Sequence, residues 1–202
     1  MARPKGKRDN ILNSASDVFN NKGFHLANIN DIAEHAGIGK GTVYEYFTSK
    51  NELFIEVVKQ NTNQYVETIR EVTNEKQKFR EKFTAFSDTH RAFIKANFEA
   101  TGGFLGTPGS LALAIDNREE VMKILLDARE QVITIIMDIL NTGLAEGTIK
   151  PMPADVLKYT SDVVFDMINR NTARVCQFSL DETQIRNEEI QLLDILLNGI
   201  GS

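Results

Sequence analysis

Between residues 37 and 47 the chain reads GIGKGTVYEYF, a run in which Lys40, Thr42, Tyr44 and Tyr46 surround a bare Gly41. At about 100° per residue, Val43 and Phe47 share one side of a helix, while Gly41 and Glu45 point away from it. Lys40 and Tyr44 then line one outer flank, Thr42 and Tyr46 the other. A bare centre between two rows of hydrogen-bond donors suits the groove of a nucleic acid. The small residue lets the backbone approach base edges, and the hydroxyl and amine groups meet the phosphates on either side. Lys50, just beyond, adds a further phosphate-facing cation. A glycine inside a helix costs roughly 0.5–1 kcal/mol relative to alanine, so close approach accounts for Gly41 better than propensity does. Glu45 faces the groove floor, where it either accepts from a cytosine amine or repels phosphate.

A second set of residues lies further along. Phe79, Phe83, Phe86, His90, Phe93 and Asn97 fall on one helical face, and His90 and Asn97 interrupt its apolar run. A buried polar group without a partner costs on the order of 1–3 kcal/mol, so these two need a function or a neighbour. One reading is a mostly apolar pocket whose few polar groups orient a small ligand. The other is a core face whose polar residues bond adjacent helices. Thr160, Val164, Met167, Asn171 and Phe178 line a similar face between 154 and 178, with Arg174 at its edge. Near the C-terminus Leu192, Leu193, Leu196 and Leu197 offer more apolar surface than a lone outer helix needs, as core or as subunit contact. No phosphate loop, Cys/His metal spacing or nucleophile elbow appears, so no enzyme, metal or cofactor is expected.

The elements that position these residues read as helices. Hydrophobic residues make up 42% of the 202, there is no Trp, and the four Pro leave long stretches for apolar repeats at three-to-four spacing. The periodicity predicts a helix from Arg8 to Lys22 stopped at Gly23, then a short one capped by Asn28 and ended at Ala36-Gly37. A third runs from Lys40 to Phe47, and a long fourth opens at Thr48 or Ser49. Helices follow over about 75–98, from Asp116-Asn117 to Ala145, over 154–178, and beyond an Asp181 cap. TGGFLGTPGS at 101–110 is the clear breaker. The fold class is therefore all-α, with a three-helix N-terminal domain over 1–47 joined by a long helix to a helical body over 48–202.

Charge divides the same way. The net charge is -5, yet residues 1–50 carry seven Lys or Arg against five Asp or Glu, and 51–202 carry 16 against 23. A basic arm (Arg3, Lys5, Lys7, Arg8) on an acidic body suggests a polyanion-binding module. The single cysteine, Cys176, excludes a disulfide framework and fits a reducing cytoplasm. No apolar signal region and no run of membrane-spanning length is present, so a cytoplasmic protein without a membrane partner is expected.

The run ILNSASDVFNNKGFHLANINDIAEHAGIGKGTVYEYFTSKNELF closely resembles the N-terminal domain of TetR/AcrR-type bacterial transcriptional regulators. The residues that carry the likeness are Ala15, Phe19, Gly23, Ile32-Ala33, Ala36-Gly37, Lys40 to Tyr44, Tyr46-Phe47, Lys50 and Leu53-Phe54. GLAEGTIKP at 143–151 is similar to that family's junction between two long body helices. The resemblance implies a homodimeric repressor whose recognition helices enter successive major grooves of a pseudo-palindromic operator. It implies Lys40 and Gly41 near bases, and Thr42, Tyr44, Tyr46, Lys50 and the Asn28 cap near phosphates. It implies release by a small, largely apolar effector bound among the middle helices, near Phe83, Phe86, His90, Phe93, Asn97, Met167 and Asn171. It implies dimerisation through the last two helices, including Leu192, Leu193, Leu196 and Leu197. Gly39 departs from the pattern, standing where a Ser or Thr often caps the recognition helix. A helical small-molecule-binding protein that no longer reads DNA is the alternative.

Overall fold

The computed structural model describes residues 5–98, 118–178 and 181–198, and every regular element among them is an α-helix. The helices are α1 (Lys5–Leu26), α2 (Ile29–His35), α3 (Lys40–Tyr46), α4 (Lys50–Asn74), α5 (Phe79–Phe98), α6 (Arg118–Ala145), α7 (Ala154–Phe178) and α8 (Glu182–Asn198). The all-α expectation holds. The expected breaker at 101–110 and the Asp116-Asn117 cap lie outside the described residues, as do the side chains of Asn97, Leu192 and Leu196.

Local chemistry sets most helix ends. Ser49 Oγ accepts from the Glu52 amide at 3.0 Å, which caps α4, and Glu52 reaches back to the Thr48 amide at 2.6 Å. The Thr48 hydroxyl, then its amide, hold the Glu52 carboxyl below its ordinary pKa. Asp181 caps α8 by accepting from the amides of Thr183 and Gln184 at 2.7 and 3.2 Å. One end differs from expectation. Gly23 does not stop α1; it kinks the helix at φ 72° and ψ 161°, and the chain makes one more turn to Leu26. Glycine is the residue that takes this backbone without steric cost.

Packing divides the chain into two compact units, Met1–Asn63 with Ala96–Leu126, and Gln64–Lys95 with Asp127–Ser202. Helix α4 belongs to the first up to Asn63 and to the second from Gln64. In the first unit Ile11, Leu12, Phe19, Ile32, Val43, Phe47, Leu53 and Phe54 form a continuous core that also takes in Val121. The rings of Phe19, Phe24 and Phe54 lie within 6 Å of one another, centroid to centroid. Each such side chain contributes roughly 1.5–3 kcal/mol by leaving water.

The second unit buries Phe79, Phe83, Phe86, Val132, Ile136, Leu140, Val164 and Ile168. Within it an ion pair is shut away from solvent. Arg91 of α5 donates to Glu189 of α8 at 2.8 Å, and their side chains are 4% and 1% exposed. The Ser87 hydroxyl donates to the same carboxylate at 3.1 Å and accepts from Arg91 at 3.3 Å. Removing one partner of a buried pair strands the other charge, which is far more costly than replacing both. Arg91→Leu is therefore expected to lower unfolding stability in urea by about 3–5 kcal/mol, with Arg91→Leu/Glu189→Leu recovering most of the loss. A single-variant cost below about 1 kcal/mol would mean the pair does not fasten α5 to α8.

Candidate functional site

The region around α3 is assembled from three directions. At its entry α2 is capped by Asn28, whose Oδ1 accepts from the Asp31 amide at 3.0 Å while the Asp31 carboxylate accepts from the Asn28 amide at 3.2 Å. Lys22 of α1 lies 3.0 Å from that carboxylate, and its hydrogen bond is the main reason the Asp31 pKa falls below the ordinary range. Asn28 is thus exposed at the N-terminus of α2 with its oxygen committed to the cap.

The turn into α3 is a Schellman motif. The Ile38 amide donates to Ala33 O at 3.0 Å and the Gly37 amide to Glu34 O at 3.1 Å, with Gly37 at φ 66°. From α1 the Asn10 side-chain amide donates to Ala36 O at 3.0 Å and braces the turn. This contact has no signature in the sequence, where nothing marks a bond across 26 positions.

On α3 the expected sidedness is present. Val43 and Phe47 are buried, whereas Lys40, Gly41, Tyr44 and Glu45 are exposed. A Cβ on Gly41 would meet nothing within 4 Å, so no internal packing demands a glycine there. Tyr44 is 47% exposed, and the Lys40 ammonium stands 5.8 Å from its ring centroid. Thr42 is half-buried, and Tyr46 turns partly inward against the core. Gly39 provides no side-chain cap.

Lys50 stands differently from the other donors. Its ammonium is directed inward, donating to Phe24 O at 2.9 Å and Ala27 O at 3.0 Å, and lies 4.4 Å from the Phe24 ring centroid. Arg8 of the basic arm is likewise engaged, paired with Glu56 and lying 5.3 Å over the Phe47 ring. Neither commitment is written in local sequence, since the partners lie 23 to 48 residues away.

In the second unit the aromatic stripe of α5 converges on His90, which is 1% exposed. The rings of Phe86, Phe165 and Tyr65 lie 5.7–5.9 Å from the imidazole, and Phe93 stacks on Tyr65 at 4.2 Å. Tyr65 of α4, which is not among the residues expected here, has its hydroxyl 2.5 Å from His90 Nδ1. Burial raises the Tyr65 pKa, so the phenol keeps its proton while hydrogen-bonded to Nδ1. Asn169 reaches the imidazole from α7, yet no described group comes into hydrogen-bond geometry with Nε2. Burial, reinforced by the Arg91 charge, lowers the His90 pKa to about 4.

The remaining expected ligand residues are distributed as follows. Phe83 and Phe86 lie in the unit's core, and Met167 packs half-buried against it. Asn171 is buried on α7, its Oδ1 3.5 Å from Arg174 and its amide nitrogen without a partner among the described residues. A cleft of about 300 Å³ elsewhere in this unit is polar, lined by Arg70, Thr73, Gln131, Thr134 and Asp138 among others, and includes none of them. Leu193 and Leu197, expected at a subunit interface, are buried at 4% and 5% exposure in the unit's own core. Among the described residues of α7 and α8, the large apolar groups left outward are Val156, Tyr159, Phe178 and Ile195.

The profile of the family "Bacterial regulatory proteins, tetR family" matches residues 11–57, the stretch from α1 into α4 described above. The chain is 34% identical over 86 residues to the HTH-type transcriptional activator FasR of Mycolicibacterium smegmatis, an alignment covering 41% of this chain and 39% of that protein. It thus spans about two fifths of that relative's length. The HTH-type transcriptional repressor KstR2 of the same species is 25% identical over 98% of this chain and 93% of its own. Among solved structures, the regulator FadR of Bacillus subtilis in complex with stearoyl-CoA superposes with a TM-score of 0.68 at 22% identity, covering 96% of this chain and 99% of that one. That likeness establishes the fold.

The His90 environment has a consequence for stability. A histidine held neutral in the fold but free to protonate at about 6.5 when unfolded contributes stability above pH 6.5 that is lost as pH falls toward 4. Relative to His90→Gln, the wild type should therefore lose about 2 kcal/mol between pH 7.5 and pH 5, read by chemical denaturation at both values. Parallel losses in the two proteins would mean His90 is not held neutral.

Proposed function

Because the chain belongs to the TetR family of bacterial transcriptional regulators, a family of DNA-binding proteins and not of enzymes, we propose that it is a repressor that binds a pseudo-palindromic operator as a homodimer. The observation that carries this reading is the outer side of α3. Its exposed donors border a glycine that no internal packing requires. Residues 1–47 act as the DNA-binding domain, with α3 in the major groove. Lys40 and Gly41 approach base edges, and Thr42, Tyr44, Tyr46 and the Asn28-capped start of α2 approach phosphates. Repression, rather than activation, is favoured by the repressor that aligns along nearly the whole chain.

Residues 48–202 act as the effector-binding and dimerisation domain. Two copies pair through the outer faces of α7 and α8, where Val156, Tyr159 and Ile195 are exposed. The effector is small and largely apolar, of the fatty-acyl class. Support comes from the apolar, aromatic surroundings of His90 and from the stearoyl-CoA bound to the similarly folded regulator. Its binding favours a dimer state whose recognition helices no longer match the operator spacing, so release reflects the difference in effector affinity between two states. Among the described residues no helix is long and apolar enough to cross a membrane, in keeping with action on cytoplasmic DNA.

Selection of bound duplexes from a random pool tests the reading. The wild type should enrich an inverted repeat, and Lys40→Ala and Tyr44→Ala should lose it or bind it broadly more weakly. Stearoyl-CoA should release the wild type from the enriched duplex. If nothing is enriched, and residual binding vanishes at moderate salt, the chain does not read DNA.

Gly41→Ala separates fold from recognition. With open space around the added methyl, helix stability should be unchanged or rise by about 0.5–1 kcal/mol, while operator affinity falls. Thermal denaturation beside a duplex-binding titration measures both. Unchanged affinity would remove Gly41 from the interface.

A further inference from the structure

We infer that Lys50 serves DNA binding as a positioning residue, by fixing the start of α2 to the first turn of α4, and not by neutralising a phosphate. The inference rests on the DNA-binding reading above and concerns how that surface is held. Lys50 is the first residue of α4, and its ammonium donates to the carbonyls of Phe24 and Ala27 at 2.9 and 3.0 Å. Both carbonyls belong to the turn that follows the Gly23 kink, where α1 runs out and backbone oxygens lack helical partners. A cation at the C-terminal end of a helix also meets the negative end of its dipole.

The contact is built from more than two bonds. The Phe24 ring lies 4.4 Å beneath the ammonium and is itself packed on Phe19 and Phe54, two members of the first unit's core. Ala27, the second acceptor, is buried and immediately precedes Asn28, the N-cap of α2. One ammonium thus links the first turn of α4, the core and the residue from which α2 and then α3 are hung. Swinging the side chain outward to a phosphate would forfeit the ring contact and leave two part-buried carbonyls without a donor. A displacement of the start of α4 is handed at this point to the chain entering the helix-turn-helix.

The two roles make different demands on salt. Each phosphate neutralised contributes about 0.9 to the slope of log affinity against log salt, whereas a positioning residue contributes nothing to it. Titrations of the selected operator and of random-sequence duplex should be run at several salt concentrations with wild type, Lys50→Met, Lys50→Arg, Phe24→Leu and Lys40→Ala. All are read at a temperature where circular dichroism shows each fully folded. Lys50→Met should bind operator about tenfold or more weakly with an unchanged salt slope and near-unchanged random-duplex binding, so that discrimination falls. Lys50→Arg, which keeps the charge and two donors, should restore most of it. Phe24→Leu, which removes the ring and no charge, should lose discrimination in the same way. Lys40→Ala, at a position read as contacting base edges, should lose discrimination between operator and random duplex.

A Lys50→Met slope lowered by about 0.9 per protomer would make Lys50 a phosphate contact and overturn the inference while leaving the DNA-binding reading intact. Wild-type discrimination in Lys50→Met would overturn it too. A wild type that distinguishes no operator from random duplex takes down the DNA-binding reading, and this inference with it.

Discussion

A seven-residue helix without a side-chain cap does not persist in water on its own, because nucleating the first turn costs more than so few hydrogen bonds return. Helix α3 is such a helix: it runs from Lys40 to Tyr46, and its N-cap, Gly39, has no side chain to offer. What holds it is burial of Val43 and Phe47 in the core shared by the helices of the first unit, which excludes water from one side only. The same burial fixes its rotation. With Val43 and Phe47 inward, Lys40, Gly41, Tyr44 and Glu45 have no direction left but outward. The proposed function and the Lys50 contact both depend on that single packing constraint. Asn10, Lys22 and Arg8 of α1 and Lys50 of α4 each tie a neighbouring segment in place.

The second unit solves a different problem. Its core is largely apolar, yet it encloses Arg91, Glu189, Ser87, His90 and Asn171. The ion pair and the Ser87 hydroxyl bond one another across α5 and α8, a directional joint that apolar side chains could not specify as narrowly. Among the described residues His90 is hydrogen-bonded at Nδ1, to Tyr65, with Nε2 outside hydrogen-bond geometry, and its burial among rings keeps it neutral. An imidazole nitrogen in an aromatic shell with no partner among the described residues is the kind of group that a polar atom of a ligand would complete, which is why the proposed effector region centres on it.

Much of this is legible in the sequence. The all-α fold, the Asn28 cap, the turn at Ala36-Gly37 and the sidedness of α3 rest on interactions between residues three to five apart, so local spacing contains them. Gly23 is legible as an interruption but not as a kink, since a positive φ marks a break without saying whether helical bonding resumes beyond it. Periodicity likewise identifies the apolar face of α8, but a periodic face says only that something covers it. Tertiary structure decides that Leu193 and Leu197 are covered by their own unit, and that Phe83 and Phe86 are core.

The charged and polar side chains divide along the same line. By itself the sequence determined which residues carry donors and on which helical side they stand, because that follows from residue type and from the 3.6-residue turn. Which of those donors remain free was decided only by folding. Lys50 meets Phe24 and Ala27, Arg8 meets Glu56, and Arg91 meets Glu189, partners 23 to 98 positions away. A long, flexible side chain takes whatever acceptor the packed backbone brings within reach, and only the three-dimensional path of the chain fixes which one that is.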